Sequence, residues 1–144
     1  MVKKDSTAYS AERVVWDTKD CAVRALAVAT GVPYTVASVT FSAQGRRIKR
    51  GTDQETSTKL YETVLGMRRV ELAEGLRLGA FLEVARTGSF IVHKKGHAFA
   101  VVEGVVHDWE GKTTRDNTTI VRCWKVTEVA RGKMEKMQEL LEGL

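Results

Sequence analysis

The sequence contains few of the residues that cross-link or interrupt a chain. Among 144 residues there are two cysteines and one proline. Cys21 and Cys123 lie far apart and neither has a second cysteine close by in the sequence, which excludes a disulfide framework and a zinc site built on cysteine pairs. Two isolated thiols suit a reducing compartment, so we expect a cytoplasmic protein.

Long apolar runs are also missing. No stretch of about 18 apolar residues occurs, so the sequence predicts no membrane-spanning helix. Lys3 and Lys4 form a basic pair, but no apolar segment follows them before Asp17, and we therefore expect no secretory signal peptide. The sequence has no internal repeat and no low-complexity segment. Its length and its 43% hydrophobic content predict one domain over residues 1–144, with residues 1–19 as an extended arm.

Positive charge exceeds negative charge by 5, and much of the excess lies in one short segment. Residues 45–51 contain Arg46, Arg47, Lys49 and Arg50. Such a cluster can follow a phosphate backbone, or steer a substrate or a polyanion towards a site. No aromatic residue is interleaved with these cations, so we expect nucleic-acid binding to be weak and non-specific at most.

The first half of the chain has helical patterns. Cys21 begins an Ala-rich segment that is apolar on most sides, with Asp20 as a suitable N-cap and Gly31 as a stop, which predicts a buried helix. Pro33 is the expected start of a second helix that ends near Gly45.

Further elements follow from capping signals and spacing. Residues 52–55 form a capping box before a third helix, in which Leu60 and Val64 face inward. Helical spacing returns at residues 76–85 and at residues 128–141, the latter through Val129, Met134, Met137 and Leu141. Strand patterns occur at residues 67–72, 89–93, 98–102, 105–109 and 119–126. Helices first and antiparallel strands second predict an α+β fold.

Cys21 lies in the first turn of the predicted buried helix. Backbone N–H groups and the dipole at a helix N-terminus favour negative charge, so a thiolate would be stabilised there. The same N–H groups can stabilise the oxyanion of an acyl-transfer intermediate. The position equally suits a small core residue, because free cysteine is among the most buried residue types. As a nucleophile, Cys21 would need a nearby base.

A hairpin in the second half of the chain offers that base. A two-residue turn at residues 103–104 would place Val102 opposite Val105. His97 and Asp108 are then diagonal neighbours on one sheet face, about 7–8 Å apart between Cα atoms, within reach for an aspartate that orients an imidazole. A shift of one residue would reverse this arrangement. His97 is also open to a simpler interpretation, as a hydrogen-bonded polar residue at the entrance of a strand.

The remaining histidines and the second cysteine have less favourable positions. In the same hairpin His107 pairs with Ala100 and points to the opposite face. His93 precedes two lysines, which indicates a surface residue. Cys123 lies mid-strand beside Trp124, and we interpret it as a core residue.

Two stretches resemble a known family. Asp-Cys-Ala-Val-Arg-Ala-Leu at residues 20–26 resembles the opening of the central helix in papain-like and C39-like peptidases. Gly-His-Ala-Phe-Ala-Val-Val at residues 96–102, followed by Val-Val-His-Asp at 105–108, resembles their histidine strand and the next strand. Three segments, residues 16–34, the Gly-Arg-Arg loop at 45–47 and residues 96–109, also look like a group of short bacteriophage and prophage proteins. The resemblance covers most of the chain from Trp16 to about Trp124. The resemblance implies a papain-like fold with a Cys21, His97 and Asp108 triad.

One departure from that family affects the expected activity. Papain-like enzymes usually carry an oxyanion-stabilising Gln about six residues before the nucleophile, where this chain has Val15. We expect either Thr18 or Lys19 to supply a donor instead, or the backbone N–H of Cys21 to act with little help. Losing one oxyanion donor typically costs about a hundred- to a thousandfold in rate, which predicts weak or specialised catalysis.

The sequence therefore leaves three functional hypotheses. The first is a cysteine hydrolase that cleaves a peptide or isopeptide bond in a protein substrate, with deamidation or acyl transfer at glutamine as related reactions on the same triad. The second is a catalytically silent papain-like module that binds a host protein or nucleic acid. The third is a structural or assembly protein of a phage particle. We expect no cofactor, no metal and no membrane partner, and a host cytoplasmic location if the chain is phage-encoded.

Overall fold

The computed structural model of the chain describes residues 2–7, 19–47, 51–108 and 114–144. Within these ranges the fold is α+β, with five α-helices and a mixed sheet of six strands. The helices are α1 (Cys21–Thr30), α2 (Tyr34–Ala43), α3 (Gln54–Thr58), α4 (Leu78–Val84) and α5 (Glu128–Glu142), and α3 continues directly into a π-helical segment, Lys59–Val64. The strands are β1 (Lys4–Asp5), β2 (Arg68–Arg69), β3 (Ser89–Lys94), β4 (His97–Val102), β5 (Val105–His107) and β6 (Arg122–Lys125).

The strands lie in the order β1-β5-β4-β3-β6-β2. β1 is parallel to β5, and all other neighbours are antiparallel. The turn between β4 and β5 has the predicted two residues, Glu103 at φ 50° and Gly104 at φ 77°. Successive residues with positive φ match the twist of a tight hairpin. Val102 therefore lies opposite Val105, and the predicted register of this hairpin is confirmed.

The two faces of the sheet carry separate apolar clusters. On one face Ile91, Ala98, Ala100 and Trp124 belong to a cluster shared with α1, α2, α5 and the π-helical segment. On the other face Phe90, Val92, Phe99 and Val101 belong to a cluster shared with α4. Successive residues of a strand point to opposite faces, so β3 and β4, buried on both sides, are apolar almost throughout. Small side chains at Ala98 and Ala100 let α1 lie directly against β4.

Helix α1 matches its predicted bounds, but its first turn is held differently from the expectation. Asp20 is the N-cap residue, yet its side chain makes no capping hydrogen bond. Its Oδ2 accepts instead from Arg24 Nε at 3.1 Å and from the Tyr34 hydroxyl at 2.7 Å. Arg24 is itself buried, and a buried guanidinium needs a carboxylate nearby more than the helix needs a side-chain cap.

Several other boundaries differ from the sequence patterns. Residues 2–7 of the expected extended arm include strand β1, which pairs with β5, while residues 8–18 lie outside the described residues. The N-cap of α3 is Asp53, which accepts from the Thr56 N–H at 2.7 Å, one residue later than the predicted capping box requires.

The C-terminal helix was expected to bury four apolar side chains. Met134 is buried, and Met137 and Leu141 are partly buried against the larger cluster. Val129 is 59% exposed, so its predicted inward position is wrong. The buried side of α5 carries Ala130 and Met134, and Val129 lies on a different side of the helix.

One finding concerns membranes. No single helix in the described parts of the chain is long and apolar enough to cross a bilayer, and α1 with α2 reaches that length only as a pair bent by 119°.

Candidate active site

Cys21 is the first residue of α1 and is partly buried. The first turn of the helix contains no acidic residue, and the carboxylate of the N-cap residue, Asp20, is paired with Arg24. The backbone N–H groups of Ala22 and Ala98 both form hydrogen bonds to the Cys21 sulfur that favour its ionised form. The thiol thus lies between the start of the helix and the start of β4.

His97 and Asp108 are brought together by the hairpin. His97 is the first residue of β4, and Asp108 follows the last residue of β5. Nε2 of His97 lies 2.7 Å from Oδ1 of Asp108, and their side chains are 6% and 0% exposed. The ring also stacks beside Phe99, with a centroid distance of 6.2 Å. These contacts fix the orientation of the imidazole.

The same imidazole is hydrogen bonded to Cys21. Because Nε2 of His97 is bound to Asp108, Nδ1 is the nitrogen left to face the thiol. The three side chains proposed from the sequence as a triad, Cys21, His97 and Asp108, therefore form one hydrogen-bonded chain.

The two ends of the Cys21–His97 contact stabilise each other's charge. Burial alone would raise the pKa of the Cys21 thiol, but the hydrogen bonds from His97, Ala98 and Ala22 and the charge of His97 lower that pKa below its usual value. Burial alone would lower the pKa of His97, but Asp108 and Cys21 raise it above the usual value. Opposite shifts of this kind favour a thiolate–imidazolium pair.

Cys21 and His97 line one cavity of about 660 Å³. That volume lies within the range of small-ligand sites. Thr52, Gln54 and Ser57 contribute polar atoms to its wall, while Ala22, Ala98 and Val121 contribute apolar surface. The thiol therefore opens onto a space that can accept a few residues of a peptide.

His93 lies in the wall of this cavity, so its predicted surface position is wrong. It is 9% exposed, and its ring makes edge contacts with Trp124 at 4.8 Å and Tyr61 at 6.2 Å between centroids. Burial, followed by the charges of Arg122 and His97, lowers the pKa of His93 to about 4. His93 is therefore neutral near pH 7. Strand β3 is buried on both faces, and this burial outweighs the effect of the two lysines that follow.

The other two candidates lie away from the cavity. Cys123 is fully buried in the cluster beneath α4, and burial raises its pKa to about 12. Its predicted core position is confirmed. His107 pairs with Ala100, as predicted, and is partly buried beside Asp5.

The residues proposed for steering or for oxyanion stabilisation are only partly described. Thr18, Lys49 and Arg50 lie outside the described residues. Lys19 is exposed and lines the cavity. Arg47 is exposed, as a steering residue would be. Arg46 is instead 7% exposed, and its Nη2 donates to the Lys19 carbonyl at 3.0 Å, so it is buried where a steering residue would be exposed.

Two features of the site were not found from the sequence. One is the Ala98 N–H, whose position depends on how the helix docks on the sheet. The other is the set of cavity cations Lys94, Lys95 and Arg122. The two lysines directly precede Gly96 and His97, so the sequence could have placed them near the site. Arg122 comes from a strand distant in sequence, so no such indication was present for it.

Comparison of the chain with protein-family models, curated proteins and solved structures gives no match. Within the described ranges, no group of three or more His, Cys, Asp and Glu side chains is placed to hold a metal ion.

Proposed function

We propose that this chain is a cysteine hydrolase with a papain-like arrangement that acts on an amide carbonyl of a protein substrate. The observation that carries the proposal is the continuous contact from the Cys21 thiol through the His97 imidazole to the Asp108 carboxylate. Cys21 is the nucleophile, His97 the general acid and base, and Asp108 the group that orients His97.

The reaction follows from the charges of this contact. The Cys21 thiolate attacks the carbonyl carbon, and the protonated His97 gives its proton to the departing amine, so a thioester forms and the C–N bond breaks. Neutral His97 then removes a proton from water, which attacks the thioester and releases the acid and the Cys21 thiol. With a glutamine side chain as substrate the departing group is ammonia, and with an amine in place of water the result is acyl transfer.

The oxyanion of this reaction has two backbone donors beside the sulfur. The Ala22 N–H lies at the helix start and the Ala98 N–H at the strand start. Both hydrogen bond to the sulfur while it is ionised, and they become available to the oxyanion when the S–C bond forms, because the sulfur then loses its charge. These two donors take the place of the oxyanion-stabilising Gln of papain-like enzymes, where this chain has Val15.

The decisive experiment uses a vinyl sulfone probe with intact-mass readout. The thiolate adds to the vinyl carbon and His97 returns a proton to the neighbouring carbon. We expect one adduct at Cys21 in the wild type and none in Cys21→Ser. His97→Ala should slow labelling about 10²- to 10⁴-fold, the range of general acid–base effects. Cys123→Ser and His107→Ala serve as controls and should label at the wild-type rate.

The second candidate is a silent binding module, and the cations around the cavity favour a binding role. It predicts a folded protein whose Cys21 reacts no faster than a free thiol and does not depend on His97. That result would exclude the hydrolase and leave the module.

A further inference from the structure

The cavity in front of Cys21 is lined by charge of one sign. Lys19, Lys94, Lys95 and Arg122 contribute cations, and no Asp or Glu is among the described residues of its wall. These four residues come from the segment before α1, the end of β3, the turn after it and β6. Separate elements thus converge on one electropositive opening.

The cavity differs in this respect from another of similar size on the same molecule. That second cavity, of about 690 Å³, is lined by the cations Lys3, Arg77 and Arg86 together with three carboxylates, Glu83, Glu103 and Asp116. The cavity without a candidate nucleophile is therefore lined by residues of both charges. The net charge of +5 alone does not explain a wall without acids.

Two of the cations are well placed to meet a ligand. Arg122 lies opposite His93 in the β3–β6 pair, and its charge acts on that ring. Lys95 is exposed in the turn that leads into His97. Across the described ranges, neither Arg122 nor Lys95 has an ion pair or a side-chain hydrogen bond. Their charge is available to an anionic group that enters the cavity.

We propose that the substrate presented to Cys21 is an acidic peptide segment, with Asp or Glu residues next to the carbonyl under attack. This inference rests on the proposed hydrolase function. A cluster of cations around a concave site concentrates ligands of opposite charge and speeds their association.

A peptide fits this site better than a nucleic acid. The proposed hydrolysis needs an acyl carbon, which a phosphodiester does not offer. The described wall contains no Phe, Tyr or Trp side chain on which a base could stack, and such stacking is the usual partner of cations in single-strand binding. Its apolar part consists of Ala22, Ala98 and Val121, which suit small aliphatic contacts.

The test measures alkylation of Cys21 by iodoacetyl peptides of equal length. One peptide carries three Glu residues, one three Gln and one three Lys. At 20 mM salt we expect the Glu peptide to react about tenfold faster than the Gln peptide, and the Lys peptide to react more slowly than both. At 200 mM salt the preference should shrink several-fold, because exposed charges are screened over a shorter distance.

Charge reversal in the cavity should remove this preference. The double variant Lys95→Glu/Arg122→Glu should react with the Glu peptide no faster than with the Gln peptide. Lys59→Glu/Lys136→Glu is the matched control, because both lysines are exposed and lie outside this cavity. The control has the same net charge as the cavity variant and should keep most of the wild-type preference.

Labelling with neutral iodoacetamide distinguishes a failure of the hydrolase proposal from a failure of the acidic-peptide inference. If iodoacetamide labels Cys21 no faster than a free thiol, the hydrolase itself fails. If it labels Cys21 rapidly while the three peptides react alike, or while both double variants behave alike, only the acidic-peptide inference is overturned. Protection of Cys21 by a single-stranded oligonucleotide at 150 mM salt, without a preference for the Glu peptide, would also overturn it and assign the cations to nucleic acid.

Discussion

Arg46 holds Lys19 in place. Its guanidinium donates a hydrogen bond of 3.0 Å to the Lys19 carbonyl across 27 positions of sequence. Lys19 lies two residues before Cys21, so this bond ties the loop after α2 to the chain that enters α1. The next residue, Arg47, carries the same charge but is exposed.

This difference between neighbours gives the first prediction. Arg46→Ala should lower the free energy of unfolding by about 1.5–3 kcal/mol, because the Lys19 carbonyl loses its hydrogen bond to a charged, buried donor. Arg47→Ala should change it by less than about 0.5 kcal/mol. Urea denaturation of both variants measures the effect. Equal values would mean that the two arginines act only through their charge, as the steering hypothesis requires.

The second prediction concerns the pH dependence of thiol reactivity. The iodoacetamide rate at Cys21 should rise through a pKa below that of an ordinary cysteine, because His97 and two backbone N–H groups stabilise the thiolate. His97→Ala should move the inflection to higher pH, since burial then opposes ionisation with less compensation. Rates measured from pH 5 to 10 give both inflections. If the wild type and His97→Ala have the same inflection pH, His97 does not act on the thiol.

The third prediction uses His93 as a buried base. Its folded-state pKa of about 4 lies below the value of about 6.5 expected in the unfolded chain. The unfolded state therefore binds the proton more tightly, so the contribution of His93 to stability is complete above about pH 6.5 and is lost as the pH falls towards 4. Between pH 7 and pH 4.5 this loss should be about 2–3 kcal/mol.

Urea denaturation at the two pH values measures that loss. His93→Phe keeps a ring between Tyr61 and Trp124 but removes the titrating group, so its stability should fall less than that of the wild type. The carboxyl groups are the same in both proteins, so the comparison isolates the effect of removing the His93 imidazole. A wild type and variant with the same pH dependence would show that His93 is protonated equally in both states.

The fourth prediction concerns the buried pair behind the nucleophile. Asp20 accepts hydrogen bonds from Arg24 and Tyr34, and the Arg24 guanidinium lies 4.9 Å from the Tyr34 ring centroid. Asp20→Asn should lower the free energy of unfolding by about 3–5 kcal/mol, because a buried guanidinium loses its carboxylate. Tyr34→Phe should cost about 1.5–3 kcal/mol for one hydrogen bond to a charged group.

A double variant distinguishes pairing from general disruption at this position. Asp20→Asn/Arg24→Met removes both charges and keeps most of the side-chain volume. Its loss of unfolding free energy, measured in urea, should be smaller than the loss in Asp20→Asn and the loss in Arg24→Met added together. Additive losses would indicate that the two side chains contribute to stability independently.

The parts of the fold that local sequence determines were predictable. Asp20 and Gly31 delimit α1, and the turn at residues 103–104 sets the register of β4 and β5. That register in turn predicts that His97 and Asp108 lie close together. These features depend on capping, turn chemistry and period-two alternation, all of which act over a few residues.

The features that could not be predicted from the sequence depend on contacts between residues that are far apart in the chain. His93 is buried because Tyr61 and Trp124 cover it, and neither is near it in sequence. Asp20 has a capping signal, but its side chain binds Arg24 because both are buried under α2. A single sequence shows which side chains are polar, and it does not show which of them lose contact with water.

The division of the triad between the first helix and a later hairpin has a consequence for biosynthesis. Cys21 emerges from the ribosome long before His97 and Asp108. Until β5 has been made and the hairpin has docked on α1, the nascent chain carries an ordinary thiol. A two-residue hairpin forms within microseconds, whereas contacts between distant segments form late. The Cys21–His97 contact therefore forms only after most of the chain has been made, and shorter nascent chains lack the lowered thiol pKa that this contact produces.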